Sequence, residues 1–274
     1  RRLMAEFETE LAILKGRVDG LEAKVGELEA TQFSTTTKLK GYTAWLLGAV
    51  DNKTATPNAE EALTLNYDLR LALKTSFTGE DMLTTVLRAG NFLDEQFGGG
   101  LSFMETGFPA AGAENTLRIG RLFYTFPVGD DLTVTAGPVV RTDDAGMYAG
   151  YATFYPSDLL VDFFTYGGAW ATNNLTNTGS GVGAVYEIGD SGFSVSGNYV
   201  SINGDSSAAG LGTDESISTS TWQLFYSGEA FGGNLLAQLG YAYESNTTSG
   251  YTGFGTAAAG TAMSGNGEGY SVAA

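Results

Sequence analysis

Between residues 62 and 77 apolar and polar side chains alternate. Leu63, Leu65, Tyr67, Leu69, Leu71, Leu73 and Phe77 hold odd positions, and Thr75 is the small polar exception. Thr64, Asn66, Asp68, Arg70, Lys74 and Ser76 hold even positions. A strand turns successive side chains to opposite faces, so this stretch has one apolar face and one wet, charged face. It is also long for a strand of a soluble protein, and lipid on one side with water on the other calls for such a strand. The same pattern predicts further strands near 39–50, 82–91, 116–126, 132–141, 181–188, 192–201, 218–227 and 233–244. The stretch 147–170 reads either as two strands turning at Tyr155-Pro156-Ser157-Asp158 or as a short helix after Pro156. A last strand opens at Gly269-Tyr270-Ser271-Val272.

The connections alternate in length. Thr78–Asp81, Pro127–Asp131, Gly189–Ser191 and Gly228–Gly233 are short, while 92–115, 202–217 and 245–267 are long. Tight turns at one end and long loops at the other are the layout of an outer-membrane barrel. The fold class expected is therefore all-β, a transmembrane antiparallel β-barrel with an aqueous interior.

Residues 3–30 carry a different period. Met4, Phe7, Leu11, Leu14, Val18, Leu21, Val25 and Leu28 step by three and four in turn, the a and d positions of four heptads. The g-to-e pairs Glu10–Lys15, Arg17–Glu22 and Lys24–Glu29 are all of opposite sign, which favours parallel self-association. Val at a with Leu at d favours a dimer. Against this, Arg17-Val18-Asp19-Gly20-Leu21-Glu22 resembles the Arg-apolar-x-x-apolar-Glu pattern of many short trimeric coiled coils. The other reading is one amphipathic helix folded on its own domain. Gly16, Gly20 and Gly26 weaken the helix by about 1 kcal/mol each relative to Ala. The expected organisation is a stalk helix over 1–30 with Leu14, Val18, Leu21, Val25 and Leu28 at its seam, a linker over 31–37, and a barrel domain over 38–274.

Composition narrows the function. The chain has 274 residues with no Cys and no His, which excludes disulfides, thiol catalysis, structural zinc and His-based triads. A net charge of −17 speaks against nucleic-acid binding. Glycine is abundant, at 39 residues, and suits many turns. No apolar run approaches the length of a transmembrane helix. Gly179-Ser180-Gly181-Val182-Gly183 is like a phosphate loop in composition only, because it enters a strand. Asp143-Asp144 and Asp94-Glu95 lack the spacing of a calcium loop. No enzyme chemistry and no cofactor are expected.

The candidate chemistry is a set of cations on wet strand faces. Arg70 and Lys74 share one strand face, and Arg88 lies on the next strand. Between Ile119 and Leu122 the apolar phase shifts, so an extra residue at Gly120 would let both Arg118 and Arg121 point inward. Arg141 ends the following strand on the side of Thr133, Thr135 and Gly137. Later strands hold no Lys or Arg and offer Asn198, Gln223, Gln238, Glu187 and Glu244 inward. The loop acids Asp94, Glu95, Asp143 and Asp144 are candidates to face the basic wall and set up a transverse field. The alternative is that the arginines pair with nearby carboxylates. Tyr42, Trp45, Phe77, Phe123, Tyr124, Phe126, Tyr199, Trp222, Phe225, Tyr226, Tyr241 and Tyr243 cluster near strand ends, as interfacial girdles do. Ordinary β-propensity also accounts for them.

The runs Arg1–Glu8, Val18–Val25 and Leu28–Leu39, with Thr75-Ser76-Phe77-Thr78-Gly79, Ala89-Gly90-Asn91-Phe92, Phe126–Asp130 and Arg141–Asp144, resemble the cyanobacterial major outer-membrane porins. These form part of the carbohydrate-selective porin family and are often labelled iron-uptake porins. The resemblance implies a homotrimeric barrel of about sixteen strands in outer-membrane lipid. It also implies an N-terminal surface-layer-homology domain that grips peptidoglycan, upstream of the sequence given. The helix would then be a periplasmic stalk spanning about 42 Å. The strands are too few for that barrel and the end lacks a terminal aromatic residue, so C-terminal strands are expected beyond Ala274. Without His or Cys a dedicated iron site is unsupported.

The reading that results is a passive channel for small hydrophilic solutes and inorganic ions. Its rivals are a soluble trimeric fibre or adhesin and a mainly structural tether between outer membrane and cell wall. The alternation of turn lengths and the confinement of charge to one set of strand faces favour the channel.

Overall fold

The computed structural model describes Phe7, Leu14–Val18, Gly20, Leu21, Lys24 and residues 37–49, 62–92, 115–151, 178–230, 232–247 and 265–273. The described residues before 37 are all helical and exposed. Val25 and Leu28 of the expected seam lie outside them, as do Asp94, Glu95 and the stretch 152–170.

The strands are β1 (Thr37–Gly48), β2 (Thr64–Thr75), β3 (Met82–Gly90), β4 (Arg118–Val128), β5 (Leu132–Arg141), β6 (Thr178–Glu187), β7 (Phe193–Ser201), β8 (Ser218–Ala230), β9 (Gly233–Thr247) and β10 (Gly265–Ala273). They form one ten-stranded sheet in sequence order. Every neighbouring pair is antiparallel. Each strand expected outside 147–170 has a counterpart, displaced by a few residues at the ends. Short connections join β2–β3, β4–β5, β6–β7 and β8–β9, and long ones join the other pairs. No helix among the described residues is long and apolar enough to cross a membrane.

Register divides the sheet into two faces. Lys38, Lys40 and Tyr42 of β1 lie opposite Lys74, Ala72 and Arg70 of β2. This inner face continues through Arg88 of β3 and Arg118 of β4. Farther round it carries Thr135, Asn198, Gln223 and Gln238. The outer face carries Trp45, Leu65, Leu71, Tyr124, Trp222 and Tyr241. Exposure is the reverse of that in a soluble protein: Trp45 and Leu65 are 78% and 65% exposed, whereas Asp68, Thr135 and Thr219 are at 0%.

Two irregularities adjust the faces. In β4, Val86 pairs with Arg121 and Leu87 with Ile119, so Gly120 is the extra residue. The bulge restores the inward face on both sides, and Arg118 and Arg121 share it as the sequence suggested. In β5, Gly137 pairs with Gly181 but Val140 pairs with Gly179, so β5 gains a residue here too. This second shift sets Val140 inward and moves Arg141 out of phase with Thr133 and Thr135. The expected inward placement of Arg141 is thereby corrected.

The aromatics also divide. Tyr124, Phe126, Tyr199, Trp222, Tyr226, Tyr241 and Tyr243 follow the outer register. Tyr42, Phe123 and Phe225 follow the inner one, so these three do not belong to an outer girdle. Phe123 joins Val140, Met147 and Val200 in a buried cluster on the inner side.

The β2–β3 turn is organised by one carboxylate. Asp81 Oδ1 accepts from Ser76 Oγ, Thr78 Oγ1 and the Phe77 and Thr78 amides at 2.7–2.9 Å, and Oδ2 accepts from Tyr124 Oη at 2.5 Å. Gly79 supplies the left-handed conformation of the turn at φ 98°. Burial acts to raise the Asp81 pKa, but the hydrogen bonds from Tyr124, Thr78, Ser76 and Phe77 outweigh it and hold the carboxyl well below the usual range. A group depressed only in the folded chain contributes stability above its unfolded pKa of about 3.9, and that contribution is lost as pH falls through the folded value. We expect Asp81→Asn to lower the thermal unfolding midpoint in detergent near neutral pH. The gap to the parent should narrow below about pH 4. A gap that persists undiminished in acid would mean that the carboxylate charge does not hold the turn.

Candidate functional site

The inner face of β1–β4 concentrates positive charge. Tyr42, Arg70, Arg88 and Arg118 stand directly opposite one another across four successive strands. Lys38 faces Lys74 four residues along on the same face. Like charges placed opposite on neighbouring strands repel. The row therefore needs a counter-charge, and β2 supplies it in Asp68, two residues from Arg70 on the same face.

Asp68 is fully buried and binds two arginines. Arg88 Nε and Nη2 donate to Asp68 Oδ1 and Oδ2 at 2.9 and 2.6 Å. Arg70 Nε and Nη2 donate to Oδ2 at 3.0 and 2.9 Å. The Arg70 guanidinium also lies 5.8 Å from the Tyr42 ring centroid, a cation–π distance. Charge-assisted pairs of this kind orient planar guanidinium groups while leaving part of their charge available.

Arg121 has its own partner. The segment 142–151 leaves the end of β5 and runs as a strap across the inner face, with contacts from β4 to β8. Asp144 on this strap accepts from Arg121 Nε at 2.9 Å and from the Arg141 amide at 2.7 Å. Arg141 pairs with Asp143 at 2.9 Å. Residues 147–151 are thus neither strand nor helix, which departs from the two-strand reading at its start, while the helix expected after Pro156 lies outside the described residues.

Asp144 reaches the basic wall at Arg121, yet touches it instead of opposing it across a gap, while Asp143 pairs with the out-of-phase Arg141. The pairing alternative accounts for Arg70, Arg88, Arg121 and Arg141 at short range. Lys74 is exposed on the inner face. Asn198, Gln223, Gln238, Glu187 and Glu244 all take the inner register foreseen for them.

Sequence reading left four inner residues out of the candidate site: Asp68, which it had placed on the wet face without a role, and Tyr42, Lys38 and Lys40. A signal was present for each. Asp68 has the parity of Arg70, and Lys38, Lys40 and Tyr42 alternate with Leu39, Trp45 and Leu47 in β1. Among the described residues no group of His, Cys, Asp and Glu could hold a metal ion.

An apolar exterior, a polar interior and a strap laid inside form the geometry of a channel wall. Residues 1–272 match the family model described as carbohydrate-selective porin, OprB family. The chain belongs to this family. A porin is a channel and not an enzyme. The chain is 42% identical over 140 residues to an uncharacterized protein of Nostoc sp., a match covering 47% of this chain and 24% of that protein. It is 35% identical over 140 residues to an uncharacterized protein of Synechocystis sp., covering 51% of this chain and 26% of that protein. The match thus spans about a quarter of the length of these two relatives. The high-pH structure of Pseudomonas putida OprB superposes with a TM-score of 0.55 at 15% identity, over 90% of this chain and 63% of that one. That likeness shows a shared porin fold.

Asp68 should be the most sensitive polar residue of the wall. Asp68→Ala leaves two inner arginines face to face, and breaking a buried pair in this way costs about 3 kcal/mol. Guanidinium unfolding in detergent should show the loss, and adding Arg88→Gln should recover part of it. Equal midpoints for the single and double variants would mean that Asp68 does not act as a counter-charge.

Proposed function

We propose that this chain forms the greater part of a passive, water-filled outer-membrane diffusion channel. Its solutes are small hydrophilic molecules and inorganic ions. The observation that carries this reading is the inverted exposure of the sheet, with Trp45 and Leu65 outside and Asp68 buried on the inner face. Lipid accepts the one face and water the other. Family membership supports the same reading, and porins of this family reside in the outer membrane.

In the assembled protein, further strands close the ten seen here into a barrel of about sixteen, and three barrels form a homotrimer. Residues 1–30 form a periplasmic coiled-coil stalk directed at peptidoglycan through an N-terminal domain, with 31–37 as linker and 38–274 in the barrel. The heptads and the exposure of Phe7, Leu14, Val18 and Leu21 support this arrangement. Transport is by diffusion and needs no cofactor.

Selectivity comes from pore width and from the inner cations Arg70, Lys74, Arg88, Arg118 and Arg121, with Lys38 and Lys40 added from β1 and Arg141 acting through Asp143. Tyr42 beside Arg70 offers a ring face and a hydrogen-bond donor together, a combination suited to sugars as well as anions.

The test is the conductance and reversal potential of the intact protein in a planar bilayer under a salt gradient. We expect steps grouped in threes and a definite sign of selectivity. Replacing Arg118 and Arg121 together by Gln should shift the reversal potential toward cations. An unmoved potential would reduce those two to structural partners. Well-folded protein that does not conduct would overturn the channel reading.

A further inference from the structure

The strap is bound to the sheet more tightly than a mobile loop. Asn198 Nδ2 donates to the carbonyls of Thr142 and Met147, both at 2.9 Å, and so grips the strap on either side of Asp144. Gln223 Oε1 accepts from the Ala149 and Gly150 amides at 3.1 Å each, and its Nε2 donates back to the Gly150 carbonyl at 2.5 Å. Ser196 Oγ accepts from the Ala149 amide at 3.1 Å, and Thr135 Oγ1 donates to the Ala145 carbonyl at 2.8 Å. Asn198 and Gln223 are each 4% exposed. A buried carboxamide without a partner is costly, and so is a buried backbone carbonyl. Each therefore helps to satisfy the other, and lifting the strap would strip these bonds from both sets at once, leaving Asn198 only Thr221 and Gln223 only Gln238.

The sheet beneath is cleared to admit this contact. A Cβ on Gly183 of β6 would come within 2.8 Å of Met147 Sδ and 2.9 Å of Asn198 Cβ. A Cβ on Gly150 would lie 2.6 Å from the Phe225 ring. Gly146 has φ 74° and packs against Thr135. Within the glycine run 179–183 it is Gly183 that makes room for the strap, whereas a Cβ on Gly179 or Gly181 would meet the β7 backbone at Ser201 or Tyr199. Met147 then closes the seal against Phe123, Val140 and Val200.

We propose that Asn198 and Gln223 are positioning residues for ion selectivity. They fix the strap so that the Asp144 carboxylate stays on Arg121, and the inner charge the pore presents is set by anchors on β7 and β8 rather than on the basic strands. This inference rests on the channel reading above. The strap is a fixed part of the wall. Its carboxylate cancels one arginine of the wall for as long as the two amides hold.

The experiment uses the intact protein in planar bilayers under a salt gradient. Asn198→Ala with Gln223→Ala should raise the conductance and shift the reversal potential toward anions, because Arg121 loses its counter-charge. Asp144→Asn should give an anion shift without the rise in conductance. In the Asp144→Asn background the two anchor changes should add no further shift in potential, a non-additivity expected only if the anchors act through that carboxylate. The absence of native cysteine permits a rescue. Ala149→Cys with Ser196→Cys, added to Asn198→Ala, should restore the parental potential when oxidised and release it when reduced. Should the double alanine variant fail to fold, Asn198→Ala alone carries the same expectation. Anchor variants that conduct with an unmoved potential would overturn this inference alone. Equal shifts with and without Asp144 would overturn it as well. A parent that does not conduct would overturn the channel reading and this inference with it.

Discussion

The period of two along each strand is the constraint on which everything else rests. Backbone pairing fixes which strand positions lie opposite each other, and the pleat then fixes which face each side chain takes. With lipid on one face and water on the other, a slip of a single residue would put Arg70 and Asp68 into hydrocarbon. The register therefore has almost no freedom, and the chemistry of the wall follows from it. Tyr42, Arg70, Arg88 and Arg118 form a row because their strands can pair in only one way. The repulsion inside that row is a by-product of register. Asp68 and Asp144 are its local remedies, the first built into a strand and the second brought in on a strap.

Alternation made much of this legible in the sequence. In β2 no other period fits, and its face assignment holds residue by residue. The Gly120 bulge could be read because large apolar residues flank it, so that a change of phase is visible between Ile119 and Leu122. The shift in β5 could not. Its neighbourhood, Thr135-Ala136-Gly137-Pro138-Val139-Val140, mixes small and β-branched residues that suit either face. Arg141 was misplaced for that reason. Aromatic residues failed in the same way, since Tyr42, Phe123 and Phe225 have strand propensity on either side of a sheet.

The strap was illegible for a different reason. Asn198 and Gln223 were correctly expected to face inward, and there an amide is as plausible against water as against protein. Their partners are backbone groups of residues 142–150, and a backbone carbonyl leaves no mark on composition. Gly183 of β6 was the available clue. A strand that gives up side chains on one face is making room for something, and here the occupant comes from the same chain. The heptads of residues 3–30 lie at the other extreme, plain in the sequence as a step of three and four.

The strap also imposes an order of assembly. Its ion pair with Arg121 joins residues 23 apart in the chain, and both lie on segments complete once β5 is made. Its anchors are much farther along, with Ala149 and Gly150 meeting Ser196 and Gln223 across separations of 47 to 74 residues. A meander that grows strand by strand from β1 can neutralise Arg121 and seat Ala145 on Thr135 early, but it lacks the Ser196, Asn198 and Gln223 anchors until β7 and β8 have joined. Docking of the strap is thus a late event, a latch that catches only after the sheet has curved far enough to bring its eighth strand under the loop that follows its fifth.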